Sequence, residues 1–286
     1  MKNNISKLLE SLPEIYKLHS RSTDTYDFIN STLLGLICNS ELKKKNSFIV
    51  FSQFGEIKFP YIEMGAVNSI NLFGLDELII FSYYWRNRNR YKNVADIGAN
   101  IGLHSIILSK CGFNVKSYEP DPFHFSILKQ NLSLNNVNNV TLFNSAVSDK
   151  DGIADFVRVI GNTTSSHLKG SKDNAYGELE NISVKTINID LVFKDTDFIK
   201  MDVEGAESLI IQSTTSDHWK KTEMILEIGS AKNASEIFNH LSKIKINSFS
   251  QKNGWQIVKT VEDLPQNYKE GSLFISNNEF MNWFMS

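Results

Sequence analysis

Apolar residues recur at helical spacing through the first 45 positions, with Ile5, Leu8, Leu9 and Leu12 on one stripe and Phe28, Leu33, Leu34 and Ile37 on another. Pro13 interrupts the first stripe. Residues 47–62, SFIVFSQFGEIKFPYI, switch to a short-period pattern rich in Phe, Ile and Val, which predicts a hairpin turning near Gln53–Gly55. LDELIIFSYY, Leu75 to Tyr84, returns to a helix. The Arg86–Arg90 run suits its C-terminal end, where cations meet the helix dipole. Strand and helix then alternate: Asn93–Ile97, Leu103–Lys110, Asn114–Tyr118, Phe123–Leu134 and Val140–Phe143. A β-α-β-α-β order predicts a parallel sheet with right-handed crossovers, and ligands at the carboxyl ends of its strands.

The alternation stops at 149–190. Ile153–Ile160 and Ile182–Ile189 are strand-like, and between them lies the polar stretch GNTTSSHLKGSKDNAYGELEN, residues 161–181. A connection of that length is either functional or a flexible loop, and an active-site lid is the favoured reading. Asp197–Met201 resumes the alternation as a strand. A helix over Glu207–Ser213, a strand over Met224–Ile228 and a helix over Ala234–Lys245 follow, and Trp255–Thr260 with Leu273–Ile275 forms a closing strand pair. The plan is one α/β domain over 71–286, with helices on both faces of the sheet and an N-terminal helical and hairpin extension over 1–70.

Composition narrows the partners. The 286 residues carry a formal net charge of -2, so no general basic field is available for a nucleic-acid backbone. Lys43-Lys44-Lys45 is a solvated helix end. Cys38 and Cys111 make neither a disulfide framework nor a zinc cluster, which suits a reducing compartment. The first 20 residues hold no signal-peptide core, and no run approaches the roughly 20 apolar residues that span a bilayer. A soluble, cytoplasmic protein without a membrane span is expected, with a homo-oligomer left open.

The chemistry gathers at VADIGANIG, Val94 to Gly102. Strand, glycine turn and helix let backbone N–H groups approach a nucleotide-like ligand. That geometry alone serves NAD, FAD, a phosphate or S-adenosylmethionine. Two acids separate these. Asp96 lies inside the strand end, where it can meet a positive group that a pyrophosphate site would avoid. Glu119 ends the next strand, 21 positions after Gly98, where a carboxylate can accept hydrogen bonds from ribose hydroxyls.

DIGANIG, YEPDP, NSAVSDKDG and FIKMDVEGAE, in that order over about Leu72 to Gly229, resemble the FkbM family of S-adenosylmethionine-dependent methyltransferases. The resemblance implies a Rossmann-like, seven-stranded, mostly parallel methyltransferase sheet. It also implies O-methylation, with a sugar hydroxyl of a bacterial surface polysaccharide or its nucleotide-linked precursor as the small-molecule or glycan acceptor. A non-sugar oxygen, or an idle cofactor-binding protein, is the alternative. It assigns Asp96, Gly98, Ala99, Asn100, Gly102 and Ser105 to the methionine part of the cofactor. Glu119 and Pro120 go to the ribose, Asn144, Ser145 and Ala146 to the adenine, and Asp202 and Glu204 to the transferred methyl. The sequence departs from the family at Gly229, where many members carry a histidine.

A sugar hydroxyl is a weak nucleophile, so a base should take its proton as the bond to the methyl forms. Asp202, Glu204 and His167 are the candidates. Alternatively Asp202, Glu204 and Glu227 supply oxygen ligands suited to Mg²⁺, which would acidify the hydroxyl. Other residues have plainer readings: Asp96 as a turn cap, Glu207 as a first-turn helix acid and His104 as a packing histidine.

Overall fold

The computed structural model describes residues 2–38, 48–65, 68–162, 165–171 and 178–283. Lys43–Lys45 lies outside them. The chain opens with helix α1 (Lys2–Ser11), a 3-10 segment Leu12–Leu18 that starts at Pro13, and α2 (Asp24–Cys38). The hairpin is β1 (Phe48–Phe51) and β2 (Gly55–Lys58), then α3 (Leu75–Arg86). The alternating region gives β3 (Asn93–Ile97), α4 (Leu103–Lys110), β4 (Asn114–Tyr118), α5 (Pro122–Leu134) and β5 (Val140–Phe143). Next come β6 (Ala146–Ser148), β7 (Gly152–Ile160), β8 (His167–Leu168), β9 (Glu178–Asn188) and α6 (Ile189–Phe193). The chain continues through β10 (Phe198–Met201), α7 (Glu207–Gln212), β11 (Glu223–Glu227) and α8 (Ala231–Ile244). It ends with β12 (Asn247–Ser250), β13 (Gln256–Ile257) and β14 (Ser272–Ser276).

Among the described residues the main sheet has eight strands in the order β13-β12-β14-β11-β10-β3-β4-β5. The run from β11 to β5 is parallel, and β14, β12 and β13 add antiparallel pairings. This is the expected α/β sheet, with β12 as an eighth strand beyond the seven expected. The closing pair is corrected. Trp255–Thr260 does not pair with Leu273–Ile275: β13 pairs with β12, and β14 sits between β11 and β12. Strand β12 reads Asn-Ser-Phe-Ser, with one large apolar side chain, so its hydrophobic pattern is too sparse to mark a strand. The 149–190 region forms a second sheet, β6-β9-β7-β8, in which the middle of the lid contributes β8.

Helices cover both faces. On one, α3, α4 and α5 share an apolar cluster with the N-terminal segment: Ile5, Leu9, Leu33, Phe51 and Phe59 pack with Leu78, Ile106, Leu128 and Phe198. On the other, Val192, Ile210 and Ile237 of α6, α7 and α8 pack against Ile97, Ile199 and Leu226. Arginines of the 86–90 run are structural. Arg90 pairs with the buried Glu223 at 2.8 Å, and Arg88 lies over the Trp85 ring.

Register sets the site. Ile97 stands opposite Tyr118 on β4 and Met201 on β10, so the residues that follow, Gly98, Glu119 and Asp202, emerge side by side. Gly98 has φ +74°, and a Cβ there would run into the Asp202 carbonyl oxygen. Gly98→Ala is therefore expected to lower stability by about 3 kcal/mol or more, from the left-handed backbone and the collision together. Gly35→Ala, in α2 with open space around it, should instead stabilise by about 0.5–1 kcal/mol. Urea unfolding of both variants tests the contrast.

Candidate active site

A cleft opens at the carboxyl ends of β3, β4 and β10. Of the residues picked out in the sequence, Gly98, Asn100, Glu119, Pro120, Ser145, Ala146, Asp202 and Glu204 line it. The second sheet supplies a wall through Phe156, Ser166 and Leu168.

Glu119 organises the cleft. Its carboxylate accepts the Asn100 N–H and the Asp121 N–H, each at 2.8 Å, and so ties the glycine turn to the turn after β4. Asn100 sits in the left-handed region, φ +50°, which aims its N–H at that carboxylate. Burial pushes the Glu119 carboxyl up to about 8, despite the two N–H donors that favour its ionised form. Asn144 is exposed and does not line the cleft. Its side chain donates to the carbonyls of Glu119 and Pro120 at 2.8 and 3.1 Å, and so braces the Glu119 turn from outside.

Asp96 and Ser105, expected in the cleft wall, lie beneath it. Both are fully buried, and the Ser105 hydroxyl donates to Asp96 at 2.6 Å. The other Asp96 oxygen stands 3.8 Å from the Lys200 ammonium, which is also 3.8 Å from Asp202. Burial pulls the Lys200 amine down, but Asp202 and Asp96 more than offset this and hold it above its usual value. Asp96 thus meets a positive group, as the sequence suggested, but the group is a side chain of the same chain. Ala99 and Gly102 do not line the cleft either. Ala99 donates its N–H to the Tyr118 carbonyl at 3.0 Å. Gly102 precedes α4 at φ +93°, with the Leu128 side chain pressed where a Cβ would be.

His167 is turned away from the cleft. It is buried with Nδ1 donating to the Ser165 carbonyl at 2.9 Å, while its neighbours Ser166 and Leu168 face inward, as alternation along a strand requires. Glu204 lines the cleft at φ +54° and is hydrogen-bonded to the Tyr268 hydroxyl. That hydroxyl fills the space over Gly229 where a side chain would project, so a tyrosine from another segment stands where a family histidine would be. Glu207 is fully buried, accepting from the Gly205 N–H and the Asn233 side chain, which makes it the structural helix acid of the plainer reading. Burial raises its carboxyl to about 7.

The acids proposed as metal ligands do not converge. Among the described residues no group of three His, Cys, Asp or Glu side chains is placed to hold a metal ion. Glu204 faces Tyr268, and Asp202 faces Lys200. Sequence reasoning missed Lys200 and His124. Lys200 had a signal, being a charged residue inside the otherwise apolar strand Phe-Ile-Lys-Met. His124, on the first turns of α5, had none, because only the fold brings it to the cleft.

The residues present fit S-adenosylmethionine: a glycine turn without side chains, a carboxylate at the end of β4 and a partly apolar wall. No helix among the described residues is long and apolar enough to cross a membrane. In sequence, the chain is similar to "Methyltransferase sdnD" of Sordaria araneosa, 24% identical over 160 residues. That match covers 44% of this chain and 62% of the relative, so the chain spans under two thirds of that protein's length. Among solved structures, the SAM-dependent methyltransferase from Agrobacterium tumefaciens aligns over 82% of this chain and 71% of its own, at 9% identity and TM-score 0.43. The METTL16 MTase domain aligns over 96% and 92%, at 11% identity and TM-score 0.43. The family model described as "Methyltransferase FkbM domain" matches residues 96–268, from Asp96 through Glu119 and Asp202 to Tyr268. That span is more than half of the sequence, and the chain belongs to the FkbM methyltransferase family.

Proposed function

We propose that the protein is an S-adenosylmethionine-dependent O-methyltransferase whose acceptor is a sugar hydroxyl of a bacterial surface polysaccharide or its nucleotide-linked precursor. The observation that carries the reading is the meeting of Glu119 and Asp202 across Gly98, which puts a ribose acceptor and a candidate base in one cleft. The sugar is proposed by analogy with the FkbM family.

S-adenosylmethionine, when bound, supplies an electrophilic methyl group. Glu119 would take the ribose hydroxyls, Gly98 and Asn100 would border the methionine part, and Ser145 and Ala146 the adenine. Asp202 would accept the proton of the attacking hydroxyl. Its Oδ1 is buried without a hydrogen-bond partner, so one oxygen is available for that role. Lys200 stands 3.8 Å from Asp202, and Asp96, at the same distance, holds Lys200 in place. Asp96 therefore serves the site through Lys200.

Incubation with methyl-labelled S-adenosylmethionine and surface-glycan fractions should label the glycan. Tight S-adenosylhomocysteine binding without transfer to any glycan would sink the sugar-acceptor reading, and without transfer to any plausible acceptor would favour an idle cofactor-binding protein. Glu119→Ala should weaken S-adenosylhomocysteine binding by at least about 1.5–3 kcal/mol, the worth of one hydrogen bond to a charged acceptor. In the free protein Glu119 is protonated below pH of about 8, and ribose donors favour its ionised form. Binding then releases a proton, so affinity should rise with pH up to about 8 and level off above it. Calorimetry between pH 6 and 9 checks this, and Glu119→Gln should flatten the slope. Asp202→Asn should depress turnover by about 10²–10⁴ while changing cofactor affinity little, as expected for loss of a general base. A loss confined to cofactor binding would move Asp202 out of the catalytic role.

A further inference from the structure

The second sheet meets the cleft at an arginine. Alternate side chains of a strand share a face, so on β7 Arg158 points the same way as Phe156, which lines the cleft. Arg158 itself is not among the residues that line it. Its Nε stands 3.1 Å from Asp121 Oδ2, at the start of α5, and its Nη1 donates to Glu180 of β9 at 3.1 Å. The guanidinium also lies over the Phe123 ring, 5.3 Å from its centroid. Glu180 is opposite Arg158 in the β7–β9 ladder, so that contact stays within the second sheet. Asp121 and Phe123 belong to the turn after β4 and the first turn of α5. Arg158 therefore joins the sheet that walls the cleft to the turn that follows Glu119.

Asp121 has a task for each of its groups. Its N–H donates to Glu119 at 2.8 Å, and its Oδ1 accepts the Phe123 N–H at 2.8 Å, which caps α5. Its Oδ2 faces Arg158. An ion pair between two exposed side chains is worth little. Asp121, however, is 1% exposed, and a carboxylate so deeply buried is costly without a counter-charge. Glu119, Asp121 and Arg158 thus form a line from the floor of the cleft to its outer wall. A movement of β7 that withdraws Phe156 from the wall also withdraws Arg158 from Asp121. The turn that aims its N–H at Glu119 then loses its counter-charge.

We propose that Arg158 is a positioning residue of the cofactor site, clamping the second sheet onto the Asp121 turn so that the Glu119 carboxylate and the Phe156 wall are set together. The proposal rests on the methyltransferase reading and concerns the cofactor of that same site. Calorimetry with S-adenosylhomocysteine tests it. Arg158→Met, which keeps the reach of the side chain and removes its charge, should weaken binding about tenfold, as for coupled sites. Arg158→Lys, which restores a cation opposite Asp121 without the planar fork, should stay within about threefold of the unaltered protein. Asp121→Asn keeps the helix cap and the N–H to Glu119, removes the charge, and should also weaken binding. The variant carrying both Arg158→Met and Asp121→Asn should bind no more weakly than the weaker single variant, because both changes break one link. General loosening of the fold would reproduce neither the lysine rescue nor this lack of additivity. If Arg158→Met does not fold, Arg158→Gln takes its place and is read by the same limits. Unchanged affinity in the neutral variant, no recovery in Arg158→Lys, or losses that multiply in the double variant would overturn the assignment while leaving the methyltransferase reading intact. Failure of S-adenosylhomocysteine to bind the unaltered protein would overturn that reading, and the role of Arg158 with it.

Discussion

The site depends on the close approach of two backbones, the turn at Gly98 against the Asp202 carbonyl. Adjacent parallel strands bring their ends within reach, but the chains after them normally diverge to make room for side chains. Here the absence of a Cβ at Gly98 lets them stay in contact. Asp202 is then held at the cleft, and Glu119 stands on the other side of Gly98. Glu119 and Asp202 can line one cleft at this sheet edge only while that contact is kept.

Buried charge gives this edge its chemistry. Lys200 and Asp96 lie among the strand residues where apolar side chains would pack more easily, and neither charge would be tolerated alone. Together with Asp202 they form a row in which the Lys200 ammonium stands 3.8 Å from a carboxylate on either side. Glu119 and Glu227 show the opposite case. Burial outweighs the pull of Lys200 at both, and their carboxyls are raised above the usual glutamate range. One sheet edge therefore holds carboxyls raised by burial beside carboxyls that flank a buried ammonium.

Much of the fold was legible because strand and helix carry different periods. The β-α-β-α-β run from Asn93 to Phe143 was placed within a residue or so, and α3 and the first hairpin were equally plain. Strand β12 was not, since Asn-Ser-Phe-Ser carries too little hydrophobic contrast, and its absence mispaired the last strands. Of the site, Gly98, Asn100, Glu119 and Asp202 were legible because they follow strands, where a parallel sheet exposes its chain ends. His167 was a candidate base because it lies in a polar stretch read as an active-site lid. In the fold it is part of a strand, and strand alternation turns it away from the cleft.

The sequence by itself determined the sheet, the glycine turn and the acids that follow strands β3, β4 and β10. These rest on local properties: hydrophobic period, backbone freedom at glycine and position relative to a strand end. Only the tertiary structure decided which acid faces what. Asp96 points to Lys200 beneath the cleft, Glu204 to Tyr268, and Asp202 to Lys200 and the cleft. Burial and neighbouring charge set the protonation of a carboxyl, and both come from residues distant in the chain. Tyr268, 39 positions after Gly229, fills the space above that glycine, which no local pattern in the sequence could reveal.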